Sequence, residues 1–279
     1  MSSFANYNMT LEQLQLATSI DYVPSILKMG FKTNFVNASE GVKVISITYQ
    51  LDDIVNDAVI STFDSTSAPL IKVVPSVFEF NQFKVVNYIT AKINENKTPE
   101  YFTSVANLYI NDTLSRDFDK IAFNGFGNEG FYTGVINGSA LTGITTGKLL
   151  VDKIIELSIQ SNKNNNRAVN NPVSVLLSGS FVDLYATGFY SDNKSIVEKM
   201  PSWIRVELSS NNAIVSGNTI SIASTNDIEV YHSNLPSIIS PFETINLGGD
   251  NVFNQLAVGS YAVAVRKLNG KKVYKFTQA

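Results

Sequence analysis

Apolar and polar positions alternate most clearly at residues 42–51, VKVISITYQL. There Ile45, Ile47, Tyr49 and Leu51 are interleaved with Ser46, Thr48 and Gln50. A period of two is that of a strand with one buried face. LIKVVPSVFEF, residues 70–80, reads as the returning strand. Pro75 assigns that strand to a sheet edge or a bulge, because proline has no N–H to give to a ladder. Residues 52–69 between them are polar. The connection is long for a compact domain, where loops beyond about 12–15 residues are uncommon. A projecting hairpin is therefore expected.

The period then changes. Phe102, Ala106, Ile110, Leu114 and Phe118 recur at helical spacing, which predicts a long helix over about 98–120. Thr98 can cap its first turn, and Pro99 suits the first helical position, where a missing N–H costs nothing. A second amphipathic helix is expected in TGKLLVDKIIELSIQSNK, with Leu150, Ile154, Leu157 and Ser158 on one face, and the tract NKNNNRAVNNP ends it. VSVLLS, residues 173–178, is a continuous apolar run, as expected of a strand covered on both faces. SFVDLYATGF predicts a short helix; WIRVEL, AIVSGNTISI and NDIEVYH predict strands. Gly217-Asn218 reads as a two-residue hairpin loop within the second of these strands. Asn269-Gly270, in SYAVAVRKLNGKKVYKF, predicts a closing hairpin. The first forty residues offer a helical turn or two in LEQLQLATSI and an extended stretch in DYVPSILKMGFKTNFVNASEG. They hold too few apolar residues in register for a core of their own and are expected to pack on this chain or another. The class is α+β.

Composition narrows the function. The chain has 279 residues, 44% hydrophobic and 16% charged, enough for one large or two modest domains with a real core. A formal net charge of −3 argues against a dedicated nucleic-acid binder. No apolar run reaches the length of a membrane span, and the N-terminus does not read as a secretory signal. There is no cysteine and one histidine, His232. Disulfides, cysteine nucleophiles and thiolate metal sites are thereby removed, and any histidine chemistry would rest on His232 alone. That residue stands in EVYHSNLP, where a polar strand-end residue is the better reading. The sequons at Asn8, Asn37, Asn96, Asn111, Asn137 and Asn193 read as coincidence in an asparagine-rich chain.

NGFGNEGFYTG, residues 124–134, contains G-x-G-x-x-G at Gly125, Gly127 and Gly130. A dinucleotide site needs a strand before the glycines and a helix after them, so that helix N–H groups meet the pyrophosphate. Here the order is reversed, and Asp152, the acidic residue at the expected distance, belongs to the next helix. The glycines read instead as an exit loop from the long helix.

The order of parts is the most informative feature. An arm, a long hairpin and a long helix are followed by DKIAFNG at Asp119–Gly125 and GVIN at Gly134–Asn137. Then come NPVSVLLS at Asn171–Ser178, a short helix with Leu184 and Tyr185, and a closing stretch with Arg266 and Gly270. Taken together this resembles the major capsid protein of tailed bacteriophages, the Hong Kong 97-type fold shared with encapsulins. The resemblance implies an N-terminal arm over 1–40 and an extended hairpin, the E-loop, over 41–85. It implies a P-domain with a spine helix over 86–145, an A-domain over 146–238, and return strands of the P-domain over 239–279. It further implies self-assembly, through pentamers and hexamers, into the icosahedral head shell of a tailed phage enclosing double-stranded DNA. No enzymatic activity and no cofactor are expected. A portal, a separate scaffolding protein, cement proteins and nonspecific contact with packaged DNA are the implied partners, with no membrane. The separate scaffold is inferred because no long charged segment precedes the arm. The implied location is the virion, after assembly in the host cytoplasm. The alternatives are an encapsulin-type compartment shell, a soluble enzyme and an asparagine-rich surface protein.

No residue is assigned to catalysis, a cofactor or a metal. Arg266, Lys267, Lys271, Lys272 and Lys275 form a basic cluster that reads as edge protection or a subunit contact ahead of a DNA contact. Asp52, Asp53 and Asp57 read as solvated loop carboxylates ahead of a weak divalent-ion site. Lys43 and Lys72, on the expected hairpin, read as ordinary strand lysines ahead of crosslinking residues. Trp203 reads as a core anchor.

Overall fold

The computed structural model describes residues 4–5, 24–35, 43–51, 71–79, 82–92, 115–125, 129–191, 194–209, 214–233, 243–247, 250–268 and 271–278. Its strands in chain order are β1 (Phe4–Ala5), β2 (Lys32–Phe35), β3 (Lys43–Leu51), β4 (Ile71–Glu79), β5 (Gln82–Lys92), β6 (Ile136–Asn137), β7 (Val173–Ser178), β8 (Phe189–Ser191), β9 (Lys194–Ser195), β10 (Ile204–Leu208), β11 (Thr219–Ser224), β12 (Ile228–His232), β13 (Glu243–Leu247), β14 (Asp250–Lys267) and β15 (Tyr274–Thr277). The described α-helices are α1 (Ser25–Lys28), α2 (115–124), α3 (Gly147–Asn164) and α4 (Ser180–Thr187).

Two sheets carry the body. A six-stranded sheet runs β1-β5-β14-β12-β2, with β13 also paired to β14. Its spine is the antiparallel pairing of β14 with β5, in register from Val252↔Lys92 to Ala262↔Gln82. A five-stranded sheet runs β10-β7-β11-β15-β6. Its central strands β7 and β11 are buried at every position, which matches the expectation for VSVLLS. The reason is that two cores share this sheet. Val173, Val175, Leu177, Ile220 and Ile222 pack with Leu150, Val151, Ile154 and Leu157 of α3 and Phe181 of α4. Leu176 and Ala223 pack with Phe118, Ala122 and Phe123 of α2. Each fully buried Leu, Ile or Val contributes about 1.5–3 kcal/mol relative to exposure.

α3 forms where the periodicity places it. Thr146 caps it by accepting the N–H of Leu149 at 3.4 Å. At the other end Asn166 takes a left-handed conformation, φ 53°. The N–H of Asn166 then reaches the Lys163 carbonyl at 3.0 Å, and that of Arg167 reaches the Asn162 carbonyl at 2.8 Å. This is a Schellman closure with asparagine in place of glycine. Asparagine tolerates that region better than most residues, so an asparagine-rich tract ends the helix.

Two expected hairpins do not form. Residues 214–218 are not a strand; Ile214 and Val215 are instead buried in the core around α2, while β11 has both edges occupied by β7 and β15. Asn218 works as a linker: its Oδ1 accepts the Ser180 N–H at 2.7 Å and its Nδ2 meets Gln278 Oε1 at 3.1 Å. At the C-terminus, β14 and β15 flank Asn269-Gly270 but belong to different sheets. Asn269 and Gly270 themselves lie outside the described residues, as do 98–114 of the expected long helix and LEQLQLATSI.

Candidate functional site

The two strands expected of the hairpin pair as a ribbon of their own. β3 and β4 pair antiparallel from Lys43↔Glu79 to Leu51↔Ile71 and hydrogen-bond to no other described strand. Nine residues at a strand rise of about 3.4 Å give a paired arm of about 30 Å. Pro75 faces Ile47 in this register. Both strands of such a ribbon are edges, so its missing N–H removes no bond to a third strand. Lys43 and Lys72 fall at opposite ends of the ribbon, and Asp52, Asp53 and Asp57 lie outside the described residues.

The segment 24–35 packs on this chain. Ile26 and Met29 are fully buried and Phe31 nearly so. The N–H groups of Ser25 and Ile26 donate to the two carboxylate oxygens of Asp119 at 2.6 and 3.0 Å. β2 pairs in parallel with β12, and Lys32 Nζ donates to Glu229 Oε1 at 2.7 Å. Tyr231 also donates its hydroxyl to Glu229 Oε2 at 2.7 Å. Burial alone would raise the Glu229 carboxyl. The hydrogen bonds from Lys32 and Tyr231, with the charges of Lys32 and Arg266, hold it below its ordinary range.

The glycine motif is a helix exit. Gly125 adopts φ 74° at the end of α2 and donates its N–H to the Ile121 carbonyl at 2.8 Å. The chain then returns, and the N–H groups of Phe131 and Tyr132 satisfy the carbonyls of Ala122 and Phe123, both at 2.8 Å. No helix start follows within residues 129–145, so these N–H groups face α2 and not a phosphate. Gly127 lies outside the described residues. Asp152 is exposed on α3.

His232 ends β12, with the rings of Phe35 and Phe118 edge-to-face at 6.0 Å each. Its Nδ1 lies 3.2 Å from the Ser233 carbonyl. Among the described residues no three metal-ligating side chains come together.

Most of the basic cluster is engaged within the chain. Lys267 Nζ donates to the carbonyls of Thr133 and Gly130, pinning the glycine loop to the end of β14. Its ammonium is pushed down by burial, against the pull of Glu129. Lys271 donates to the Asn165 carbonyl at 2.8 Å, and Lys275 sits 5.4 Å from the centre of the Tyr132 ring. Lys272 is exposed. Trp203 is partly buried against the core around α3. Sequence reasoning did not single out Asp119, Glu229 or Lys32 as tie points for residues 24–35, and no local pattern marks them.

The β3–β4 ribbon, the buried helix α2 and the two sheets make a mixed α+β chain with the Hong Kong 97-type capsid fold. Among solved structures, the chain is similar to the capsid of Myoviridae phage XM1, at a TM-score of 0.59 and 11% identity, covering 94% of both chains. It is similar to a chain from Mycobacterium phage Cain at a TM-score of 0.60 and 12% identity, covering 95% of this chain and 93% of that one. A virus-like particle from Pyrococcus furiosus matches at a TM-score of 0.56 and 12% identity, covering 95% of this chain and 98% of the other. No family model and no curated protein matches the sequence.

Proposed function

We propose that this protein is the shell-forming major capsid protein of a tailed phage. The observation that carries the reading is the match to the XM1 capsid over 94% of each chain. The β3–β4 ribbon supports it physically. Ordering such an arm costs about 1–2 kcal/mol per residue in backbone entropy alone. Contact with neighbouring copies would offset that cost.

In this reading residues 1–40 are the arm, 41–85 the E-loop, 86–145 the P-domain with its spine helix, and 146–238 the A-domain. Residues 239–279 return to the P-domain and send β15 into the five-stranded sheet. Copies associate as pentamers and hexamers into an icosahedral shell around double-stranded DNA, in the virion, after assembly in the host cytoplasm. The protein acts without catalysis or cofactor. A portal, a separate scaffolding protein and cement proteins are its further partners, and DNA contact is nonspecific.

The test is negative-stain electron microscopy with light scattering on the protein expressed alone. Closed shells or rings of five or six subunits are expected. Particles that carry a cellular enzyme instead of DNA would move the reading to an encapsulin-type compartment. A stable monomer near 31 kDa at high concentration would remove the shell reading altogether.

A further inference from the structure

Residues 24–35 touch three parts of the molecule that strand pairing leaves separate. The N–H groups of Ser25 and Ile26 open a helix of only four residues, so no helical carbonyl can receive them. Both end on Asp119, which is wholly buried on α2. One turn later, α1 meets β10, the edge strand of the five-stranded sheet. Lys28 Nζ lies 4.0 Å from Glu207 Oε1, and Arg205 lies across Gly30, where a Cβ would stand 3.2 Å from its Cδ. The chain then becomes β2, the edge strand of the six-stranded sheet, joined to β12 by its ladder and by the Lys32–Glu229 bond.

No described strand of one sheet pairs with a strand of the other. The glycine loop and the shared core bridge the two sheets, and at their edges a twelve-residue segment adds a foot on each, anchored between by Ile26, Met29 and Phe31 in the core. We propose that residues 24–35 form a clasp between the two sheets, seated by Asp119, and that releasing the clasp loosens β10 and β12 together. The charges at the junction agree with this placement. Burial pushes the Glu207 carboxyl up against the pull of Lys28 and Arg205, and the Asp119 charge adds to that push.

The clasp is a property of the single chain and does not rest on shell formation. It is tested by hydrogen–deuterium exchange on the full chain, comparing the parent with Asp119→Ala and Asp119→Asn. In Asp119→Ala, exchange over 24–35 is expected to rise tenfold or more, with a smaller rise at both 204–208 and 228–232. Residues 147–164 of α3 should keep their parent protection. Asp119→Asn retains one acceptor oxygen and should fall between. A rise confined to Ser25 and Ile26 would reduce Asp119 to a local cap and overturn the clasp, as would an equal rise in α3. If Asp119→Ala has no cooperative melt, Asp119→Asn is read in its place. Loss of the melt in both would make Asp119 a residue of the global core, which also overturns the proposal. Shells can form whichever way exchange behaves, so this inference and the shell reading stand or fall separately.

Discussion

A Cβ on Gly130 would lie 2.3 Å from the backbone nitrogen of Gly125, so the loop that leaves α2 lies directly against the end of that helix. The obstacle is main chain, which cannot rotate away as a side-chain tip would. Gly130→Ala is therefore expected to cost about 2–3 kcal/mol, the upper part of the overpacking range. Gly134 gives the contrast: its φ is 63° but nothing stands within 4 Å of its Cβ position. Gly134→Ala should lose only about 1–2 kcal/mol for the left-handed backbone. Denaturant melts of the two variants would measure the difference, and equal costs would remove the close-approach explanation.

Glu229 makes the attachment of β2 to β12 sensitive to acid. Its carboxyl is held below the ordinary value of 4.5 in the folded chain. A depressed carboxylate contributes stability above its unfolded pKa, and that contribution is lost as pH falls through the folded pKa. Glu229→Gln should thus cost about 1–3 kcal/mol at neutral pH, the scale of hydrogen bonds to a charged group. The gap to the parent should close as pH drops below the ordinary carboxylate range. Urea titrations between neutrality and pH 3 would follow it, and a gap that stays constant with pH would show that charge is not the cause.

Asn166 is expected to behave as a stand-in for glycine. Asn166→Ala forces a Cβ-bearing residue without a compensating amide into φ 53° and should cost about 1 kcal/mol. Asn166→Gly should be neutral or slightly stabilising, because glycine is the residue a Schellman closure favours. Thermal melts that rank alanine above glycine at this position would contradict the assignment.

Tyr132 links the glycine loop to the five-stranded sheet through its hydroxyl, 3.0 Å from Ser221 Oγ. Burial pushes its phenol well up, only partly opposed by that bond. The folded chain therefore keeps the proton where an unfolded tyrosine, near pH 10, gives it up, and stability falls as pH rises past that value. An alkaline absorbance titration should show one tyrosine more ionising in the parent than in Tyr132→Phe after unfolding, and the same number in both before it. A Tyr132 that titrates near 10 in the folded chain would mean that water reaches the ring.

Local pattern was a good guide wherever a residue's environment depended on its near neighbours. The face of α3 at Leu150, Ile154, Leu157 and Ser158, the strand β3 and the continuous run of β7 all appear where periodicity predicts them. The loop at Gly125 and Gly130 also followed from reading its flanks. The hairpin signals failed for one physical reason. Gly217-Asn218 and Asn269-Gly270 show that a turn is cheap at that point, but strand pairing is decided by which edges are open. At β11 both edges are taken, and β14 and β15 leave for different sheets.

What the sequence determined by itself is the set of elements and the class they make. Those rest on helical and strand periods, on caps such as Thr146, and on turn residues such as Asn166. The order of the elements was also enough to suggest the fold. The tertiary structure alone decided the long-range partnerships: Asp119 with Ser25 and Ile26, Lys32 with Glu229, and β5 with β14. Asp119 is 94 residues from Ser25 and Glu229 is 197 from Lys32. Their meeting is an outcome of burial and edge geometry, which act on the folded chain as a whole and leave no repeat or spacing in the sequence around them.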